Sequence, residues 1–239
     1  MGAQWKHAGR IENSTKRGAK ISKLVKEIIV SAKGGDPDPA NNSRLRAAIE
    51  AAKKESVPRD TIDRAIKKAT GQLGGEVQFE SVFYEGFAPH RVPVIVECLT
   101  DNKNRTAAEI RVLFRKGHLE SIGSVSWMFD RLGIVEATLP KADADIEEAA
   151  IEAGAQNVET LESDLVPEGH TGARFFCEPT DLDVVTKALA PLGWSVSQSE
   201  IGYIAKNKLV LNEEQMKEVT DFLSAIDEDE DVHRVYVGI

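Results

Sequence analysis

Apolar residues recur at helical spacing in three stretches of the first 70 residues. In residues 14–33 they lie at positions spaced i, i+3, i+4 and i+7, which line one side of an α-helix. These positions are Ile21, Leu24, Val25, Ile28 and Ala32. The next two stripes are Leu45, Ala48, Ile49 and Ala52, and Ile62, Ala65, Ile66 and Ala69. The sequence GGDPDPANN separates the first two stretches, and Gly71 ends the third. The pattern predicts a bundle of three short amphipathic helices.

The periodicity changes after residue 75. Residues 91–100 are rich in β-branched side chains and predict a buried strand, which a shorter strand at residues 83–87 precedes. A helix follows, for which Thr106 and Glu109 have the spacing of a capping box. Residues 123–129 alternate like a further strand. This region is therefore predicted to be α+β.

Residues 133–205 predict the order strand, helix, strand, strand, helix, strand. This βαββαβ order is that of a ferredoxin-like sandwich, in which two helices pack on an antiparallel sheet. The helix and strand after residue 205 are too short to form a core, so we expect them to complete the sheet begun at residues 80–130. The predicted fold class is multidomain α and α+β. Its predicted domains are a basic helical bundle at 1–75, a discontinuous α+β domain at 76–132 plus 206–239, and an inserted ferredoxin-like domain at 133–205.

Charge is distributed unevenly along the chain. Residues 1–70 hold 16 Lys and Arg against 8 Asp and Glu, a net charge of +8, whereas residues 71–239 hold 14 against 31, a net charge of −17. On the first predicted helix Lys16, Lys20 and Lys23 lie roughly opposite the apolar stripe. An acidic chain with a basic first third indicates a polyanionic partner, most commonly nucleic acid.

The candidate nucleic-acid contacts are one aromatic residue of the N-terminal arm and the cations of that arm, the first helix and the third helix. They are Trp5, Lys6, Arg10, Lys16, Arg17, Lys20, Lys23, Lys26, Arg59, Lys67 and Lys68, with Arg64 on the same helix as the last three. Trp5 could stack on a base or fold back onto the nearest helix. Arg105, Arg111 and Arg115 form a secondary basic patch in the otherwise acidic part of the chain.

The sequence offers little for catalysis or for metal binding. The five histidines are scattered, and the common phosphate-loop, dinucleotide and nucleophile-elbow motifs are absent. Asp101 with Arg105 is the best polar cluster, and turn and cap chemistry explains it better than a binding site does. The acidic run at residues 227–231 is predicted to be a solvated loop. Cys98 and Cys177 lie alone in strand-like runs and are predicted to be reduced core residues. We therefore expect a protein that is not an enzyme and needs no cofactor and no metal.

Nothing in the sequence indicates a membrane protein. No apolar run approaches the roughly 18 residues needed to cross a bilayer, and the start, MGAQWKHAGR, lacks the apolar core of a signal peptide. We expect a cytoplasmic protein without a membrane partner.

Six stretches together resemble one known family, YebC/PmpR, which includes the mitochondrial translational activator of cytochrome c oxidase. They are WKHAGR, KRGAKISKLVKEI, RLRAAIEAAKKESVPRDTIDRAIKKATG, YEGFAPHRVPVIVECLTDNKNRTAAEIR, GSVSWMFDRLG and DVHRVYVGI. The resemblance implies three domains, one inserted in another, and a cytoplasmic, non-enzymatic regulator. The chain departs from the family at its start, where Gly2, Ala3 and Gln4 precede Trp5 in place of the family's G-H-S-K-W run.

The resemblance leaves two roles open. Members are described as DNA-binding transcriptional regulators, or as ribosome-associated factors that bind ribosomal RNA or tRNA and relieve stalling at proline-rich stretches. A protein-interaction adaptor that uses the acidic part of the chain is a third hypothesis. Salt dependence separates the adaptor from the other two, because neutralising phosphates gives a steep dependence. The sequence leaves open whether the target is DNA or RNA, which nucleotide sequence is bound and how many subunits associate.

Overall fold

The computed structural model describes residues 14–73 and 79–239, with side chains from residue 18 onward. The described chain begins with three helices, α1 (Ser14–Gly34), α2 (Ser43–Lys54) and α3 (Arg59–Ala69). Asn42 caps α2, since its side chain accepts a hydrogen bond from the N–H of Leu45 at 3.0 Å. The three predicted helices are therefore present, and the predicted turn separates the first two.

Two four-stranded sheets follow the three helices. In chain order the elements are β1 (Glu80–Ala88), β2 (Val92–Thr100), α4 (Lys103–Leu113), β3 (His118–Glu120), β4 (Phe129–Leu139), α5 (Ile146–Ala153), β5 (Asn157–Thr160), β6 (Thr171–Cys177), α6 (Leu182–Leu189), β7 (Ser195–Ala205), α7 (Glu213–Asp227) and β8 (Val232–Val237).

The first sheet has the strand order β3-β1-β2-β8. Strand β8 pairs antiparallel with β2, Val94 lying opposite Val237, so the end of the chain returns to the earlier sheet as predicted. One sheet face packs against α4 and α7 through buried residues such as Val96, Ile110 and Leu223. The opposite face has a smaller apolar cluster, formed by Ile95, Val125, Phe129 and Tyr236 with several half-buried aromatic residues.

The second sheet has the strand order β5-β6-β4-β7. Its elements occur as β4-α5-β5-β6-α6-β7, and with this strand order they form the ferredoxin-like sandwich that the sequence predicted. The core under α5 and α6 includes Val135, Phe175, Leu189 and Trp194. The rings of Phe175 and Trp194 meet edge to face with centroids 5.3 Å apart. The predicted fold class, N-terminal helices followed by a discontinuous α+β part with an inserted ferredoxin-like unit, is confirmed.

The chain divides into two compact units. The described part of one unit comprises residues 14–30, 79–130 and 203–239, and the other unit comprises 31–73 and 131–202. The first unit contains the first sheet, and the second contains α2, α3 and the ferredoxin-like sheet. The N-terminal helices are thus shared between the two units. The three-domain boundaries stay a prediction, which excision of a fragment can test.

Two local predictions were wrong. Residues 123–129 do not form a strand, because a loop and a 3₁₀ turn at Ser126–Met128 lead into β4. Thr106 does not begin the helix, since Asn102 caps α4 by accepting the N–H of Arg105 at 3.2 Å. In the first place the backbone N–H groups of Val125 and Ser126 bind the Glu85 carboxylate instead of a neighbouring strand. In the second the Thr106 hydroxyl donates to Asp231 instead of capping the helix.

The two cysteines are free thiols in the core, as predicted. Cys98 packs in the first sheet and Cys177 in the second. Burial raises the pKa of both thiols, with nearby carboxylates adding to the effect, and the pKa of Cys177 reaches about 11.

Candidate nucleic-acid interface

Five of the predicted contacts lie where the structure describes no side chain. Trp5, Lys6 and Arg10 precede the first described residue, and the side chains of Lys16 and Arg17 at the start of α1 are also outside the described set. Their role in binding stays a prediction. Among the other predicted residues of α1, Lys20 is exposed.

Lys23 and Lys26 of α1 contact acidic residues of their own compact unit. The Lys23 ammonium donates to the carbonyl oxygen of Asp227 and lies 3.9 Å from its carboxylate. The Lys26 ammonium donates to the Glu230 carbonyl and to Oδ1 of Asp231, each at 2.8 Å. The Lys26 side chain is only 14% exposed. Part of the predicted cationic face of α1 is therefore bound within the protein.

Asp231 is the centre of this polar cluster. Its Oδ2 accepts hydrogen bonds from Arg105 at 2.8 Å, from Thr106 at 2.8 Å and from Thr100 at 3.2 Å, while Oδ1 is bound by Lys26. Its side chain is 4% exposed. Burial alone would raise the pKa of this carboxyl, but the hydrogen bonds from Arg105, Lys26 and Thr106 outweigh it and lower the pKa to about 2.

The prediction that the acidic run is a solvated loop was therefore wrong for Asp231. Adjacent carboxylates in a sequence look alike, and only the fold selects one of them for burial. The partners lie far away along the chain, since Thr106 and Asp231 are 125 residues apart. No local sequence signal marks this pairing.

The secondary basic patch is only partly available to a ligand. Arg105 binds Asp231 and also donates to Asp101 at 3.1 Å. Arg111 and Arg115 are exposed and have no ion-pair partner within the described ranges 18–73 and 79–239. Lys116, next to Arg115, is in the same situation. The cations of this patch that a ligand can reach are therefore Arg111, at the end of α4, and Arg115 and Lys116, which follow it.

Helix α3 presents the clearest cationic surface among the described residues. Its buried positions Ile62 and Ala65 face inward, and its basic residues are exposed. Those residues are Arg59, Arg64, Lys67 and Lys68. The Arg59 side chain is 93% exposed, with one loose contact to Asp63 at 3.9 Å. As far as the structure describes the chain, Arg64, Lys67 and Lys68 have no ion-pair partner.

Among the described residues, these surfaces are accompanied neither by a cluster of metal-ligating side chains nor by a membrane-spanning helix. The described residues contain no group of three His, Cys, Asp or Glu side chains that could hold a metal ion. Within the same residues, no helix has the length and apolar composition needed to span a membrane.

The fold defines an α+β protein in which N-terminal helices precede a discontinuous sheet and an inserted ferredoxin-like unit. Family models match nearly the whole chain. The TACO1/YebC N-terminal domain matches residues 3–72, and the second and third domain of TACO1/YebC matches residues 79–239. The chain therefore belongs to the TACO1/YebC family, and the family resemblance predicted from the sequence is confirmed.

Full-length relatives support this assignment. A probable transcriptional regulatory protein of Pseudomonas syringae pv. tomato is 54% identical, with 100% of this chain and 99% of the relative covered. A protein of the same description from Bdellovibrio bacteriovorus is 47% identical, with 100% of both chains covered. The crystal structure of a conserved hypothetical protein from Aquifex aeolicus superposes with a TM-score of 0.80 at 38% identity, covering 99% of this chain and 95% of that one.

Proposed function

We propose that this protein is a non-enzymatic regulator of gene expression that binds nucleic acid through its basic helices, and that its target is duplex DNA. The names of the relatives support a role in transcription. We expect the protein to carry out this role in the cytoplasm.

The exposed cations of α3 are the observation on which this proposal depends. Arg64, Lys67 and Lys68 are exposed, and the structure shows no carboxylate paired with them in its described part. An unpaired surface cation loses no internal contact when it binds a phosphate, unlike Lys26 or Arg105. The net charge of +8 in residues 1–70, against −17 in residues 71–239, makes the N-terminal helices the part of the chain that attracts a polyanion most strongly at long range.

The chemistry of this surface favours contacts to a phosphate backbone and provides no amide side chain that reads adenine. Helix α3, RDTIDRAIKKA, has no Asn or Gln that could pair with a base edge. Lys and Arg contacts to phosphates hold a protein on its target without selecting a sequence. Phosphate contacts of this kind suit RNA as well as DNA. A second candidate role is therefore binding to the phosphate backbone of structured RNA on the ribosome.

The salt dependence of binding tests the proposal. We would measure the affinity of the full-length protein for duplex DNA between about 50 and 200 mM salt, in wild type and in the Lys67→Glu/Lys68→Glu variant. If both lysines contact phosphates, the slope of log affinity against log salt should become shallower by about 1.8. The matched control is Lys141→Glu/Lys217→Glu, which makes the same charge change at two exposed lysines outside the N-terminal helices α1, α2 and α3.

An equal loss of affinity in both double variants would show that net charge alone matters, and would contradict a site on α3. Sedimentation of cell lysate through a sucrose gradient separates the two candidate roles. If the wild-type protein migrates with ribosomes and the Lys67→Glu/Lys68→Glu variant does not, the RNA target is favoured.

A further inference from the structure

The loop of residues 121–128 is held rigidly against the first sheet. The carboxylate of Glu85, buried on β1, accepts hydrogen bonds from the backbone N–H groups of Gly123 at 2.9 Å, Val125 at 2.7 Å and Ser126 at 2.8 Å. Burial tends to raise the pKa of Glu85, but these bonds outweigh it and hold the pKa below its usual value. The Val125 side chain is fully buried beside Phe129. The loop conformation is therefore fixed before any ligand binds.

This rigid loop exposes two large apolar side chains. Trp127 is 67% exposed and Ile122 is 81% exposed. The indole N–H of Trp127 donates to the carbonyl of Ser124 at 2.9 Å, so the polar edge of the ring is already satisfied. A single exposed apolar residue needs no explanation. Two on one loop that a buried carboxylate holds in place are more typical of a binding surface.

The loop itself is uncharged, and charges of both signs lie beside it, with Glu120 and Asp130 near its two ends. Residues 121–128, SIGSVSWM, contain no charged side chain that would repel a phosphate. The backbone N–H of Lys206 donates to the carbonyl of Met128, and the Lys206 side chain is half exposed, with Asp130 at 3.5 Å. Arg91 is also exposed, with its guanidinium 5.7 Å from the ring of Phe87, a half-buried member of the apolar cluster that includes Val125.

We propose that Trp127 is a stacking platform for an unpaired nucleobase, with Ile122 in apolar contact beside it and Lys206 and Arg91 near the flanking phosphates. This inference rests on the proposed function and adds to the duplex target a short unpaired stretch, where a base leaves the helix and can stack on the ring. Aromatic faces bind bases of any sequence, because every base has a π-face, and a ring fixed in advance loses little freedom on binding.

The test compares oligonucleotides with and without bases. Binding of the full-length protein would be measured by fluorescence anisotropy with unstructured single-stranded DNA and RNA, and with an abasic strand of the same length. Trp127→Ala should weaken binding of the base-containing strands by about 5- to 150-fold and leave the salt slope unchanged. Trp127→Phe, which keeps an aromatic face, should restore most of the affinity. Wild type, Trp127→Ala and Trp127→Phe should bind the abasic strand with the same affinity.

Matched controls keep the result interpretable. Ile151→Ala removes from α5 an apolar side chain that is about as exposed as that of Ile122, and this change should have no effect. Unchanged affinity in Trp127→Ala would overturn the inference, as would an equal loss on the abasic strand or a wild-type protein that does not prefer strands with bases. If Trp127→Ala binds normally while Lys67→Glu/Lys68→Glu changes the salt slope, the platform fails and the proposed function stands. The reverse pattern would reject the site on α3 and retain the platform.

Discussion

The ammonium group of Lys26 lies 2.8 Å from Oδ1 of Asp231, a residue 205 positions further along the chain. This contact joins α1 to the turn that leads into β8. One residue further along α1, a carboxylate oxygen of Glu27 lies 2.9 Å from Nε2 of His233. Amphipathic spacing predicted a solvated cationic face for α1. In the structure, two lysines of that face, Lys23 and Lys26, instead bind Asp227 and Asp231, which come before β8 of the first sheet.

We expect Asp231→Asn to lower the free energy of unfolding at pH 7 by about 2–3 kcal/mol, because it leaves Lys26 and Arg105 without their common carboxylate. Urea denaturation would measure the loss. The control is Glu230→Gln, since Glu230 binds Lys26 through its backbone carbonyl, and this change should stay within about 0.5 kcal/mol. Equal effects of the two changes would contradict the central role of Asp231.

The same carboxyl should make stability depend on pH in acid. The pKa of Asp231 is about 2 in the folded protein, below its value of about 3.9 in an unfolded chain. The unfolded state therefore binds more protons between these values, and the contribution of Asp231 is present above about pH 4 and is lost as the pH falls toward 2. Unfolding curves of wild type and Asp231→Asn should converge over that range. A constant difference would show that the carboxylate charge is not what stabilises the fold.

Lys26→Met should separate a structural lysine from one that binds phosphate. Methionine retains an apolar chain of similar length but removes the charge opposite Asp231, so the free energy of unfolding should fall by about 1–3 kcal/mol. The salt slope of nucleic-acid binding should not change, because this ammonium is already bound inside the protein. A slope shallower by about 0.9 would instead show that Lys26 contacts a phosphate.

Glu85→Gln should loosen the 121–128 loop. The amide of glutamine offers one acceptor oxygen where the carboxylate offers two, so at least one of the backbone donors of Gly123, Val125 and Ser126 loses its partner. We expect stability to fall by about 1–3 kcal/mol. Hydrogen exchange by NMR should be faster at these three amides and unchanged in the ferredoxin-like unit. Glu152→Gln, at an exposed glutamate, is the control and should leave exchange as in wild type.

Both native thiols should resist alkylation at pH 8. Cys98 and Cys177 are fully buried, and burial raises the pKa of each, so little thiolate exists and reagents cannot reach it. In urea both should react rapidly. Ser224→Cys, at an exposed position of α7, provides the reactive control. Rapid labelling of Cys98 or Cys177 in the folded protein would contradict their burial.

The fragment of residues 133–205 should fold alone. The apolar core under α5 and α6 is formed by residues between 135 and 201, so excision removes none of it. Trp194, the single tryptophan of the fragment, is buried and would report a cooperative transition by fluorescence. Because α2 packs against α6 in the intact chain, the fragment should be less stable than the same region of the full protein. A spectrum of an unfolded chain would reject the predicted boundary.

Local patterns predicted the elements accurately where burial alone decides them. The first helix was predicted at residues 14–33 and extends over Ser14–Gly34, and the strand predicted at 91–100 is Val92–Thr100. Apolar periodicity is a property of the element itself, so it can be recognised without knowing the partner. The alternation at residues 123–129 was misleading because the donors of that segment bind the Glu85 carboxylate rather than a neighbouring strand.

The sequence by itself determined the order of elements, the family and the excess of positive charge in the first third of the chain, because these depend on composition and spacing. Only the tertiary structure decided which cations are available to a ligand. Lys26 and Lys67 are both lysines on amphipathic helices, but Lys26 meets a carboxylate brought to it from the far end of the chain, whereas Lys67 is exposed and meets none in the described part. A charge becomes structural or free according to its neighbours in space, and those neighbours are set by long-range packing.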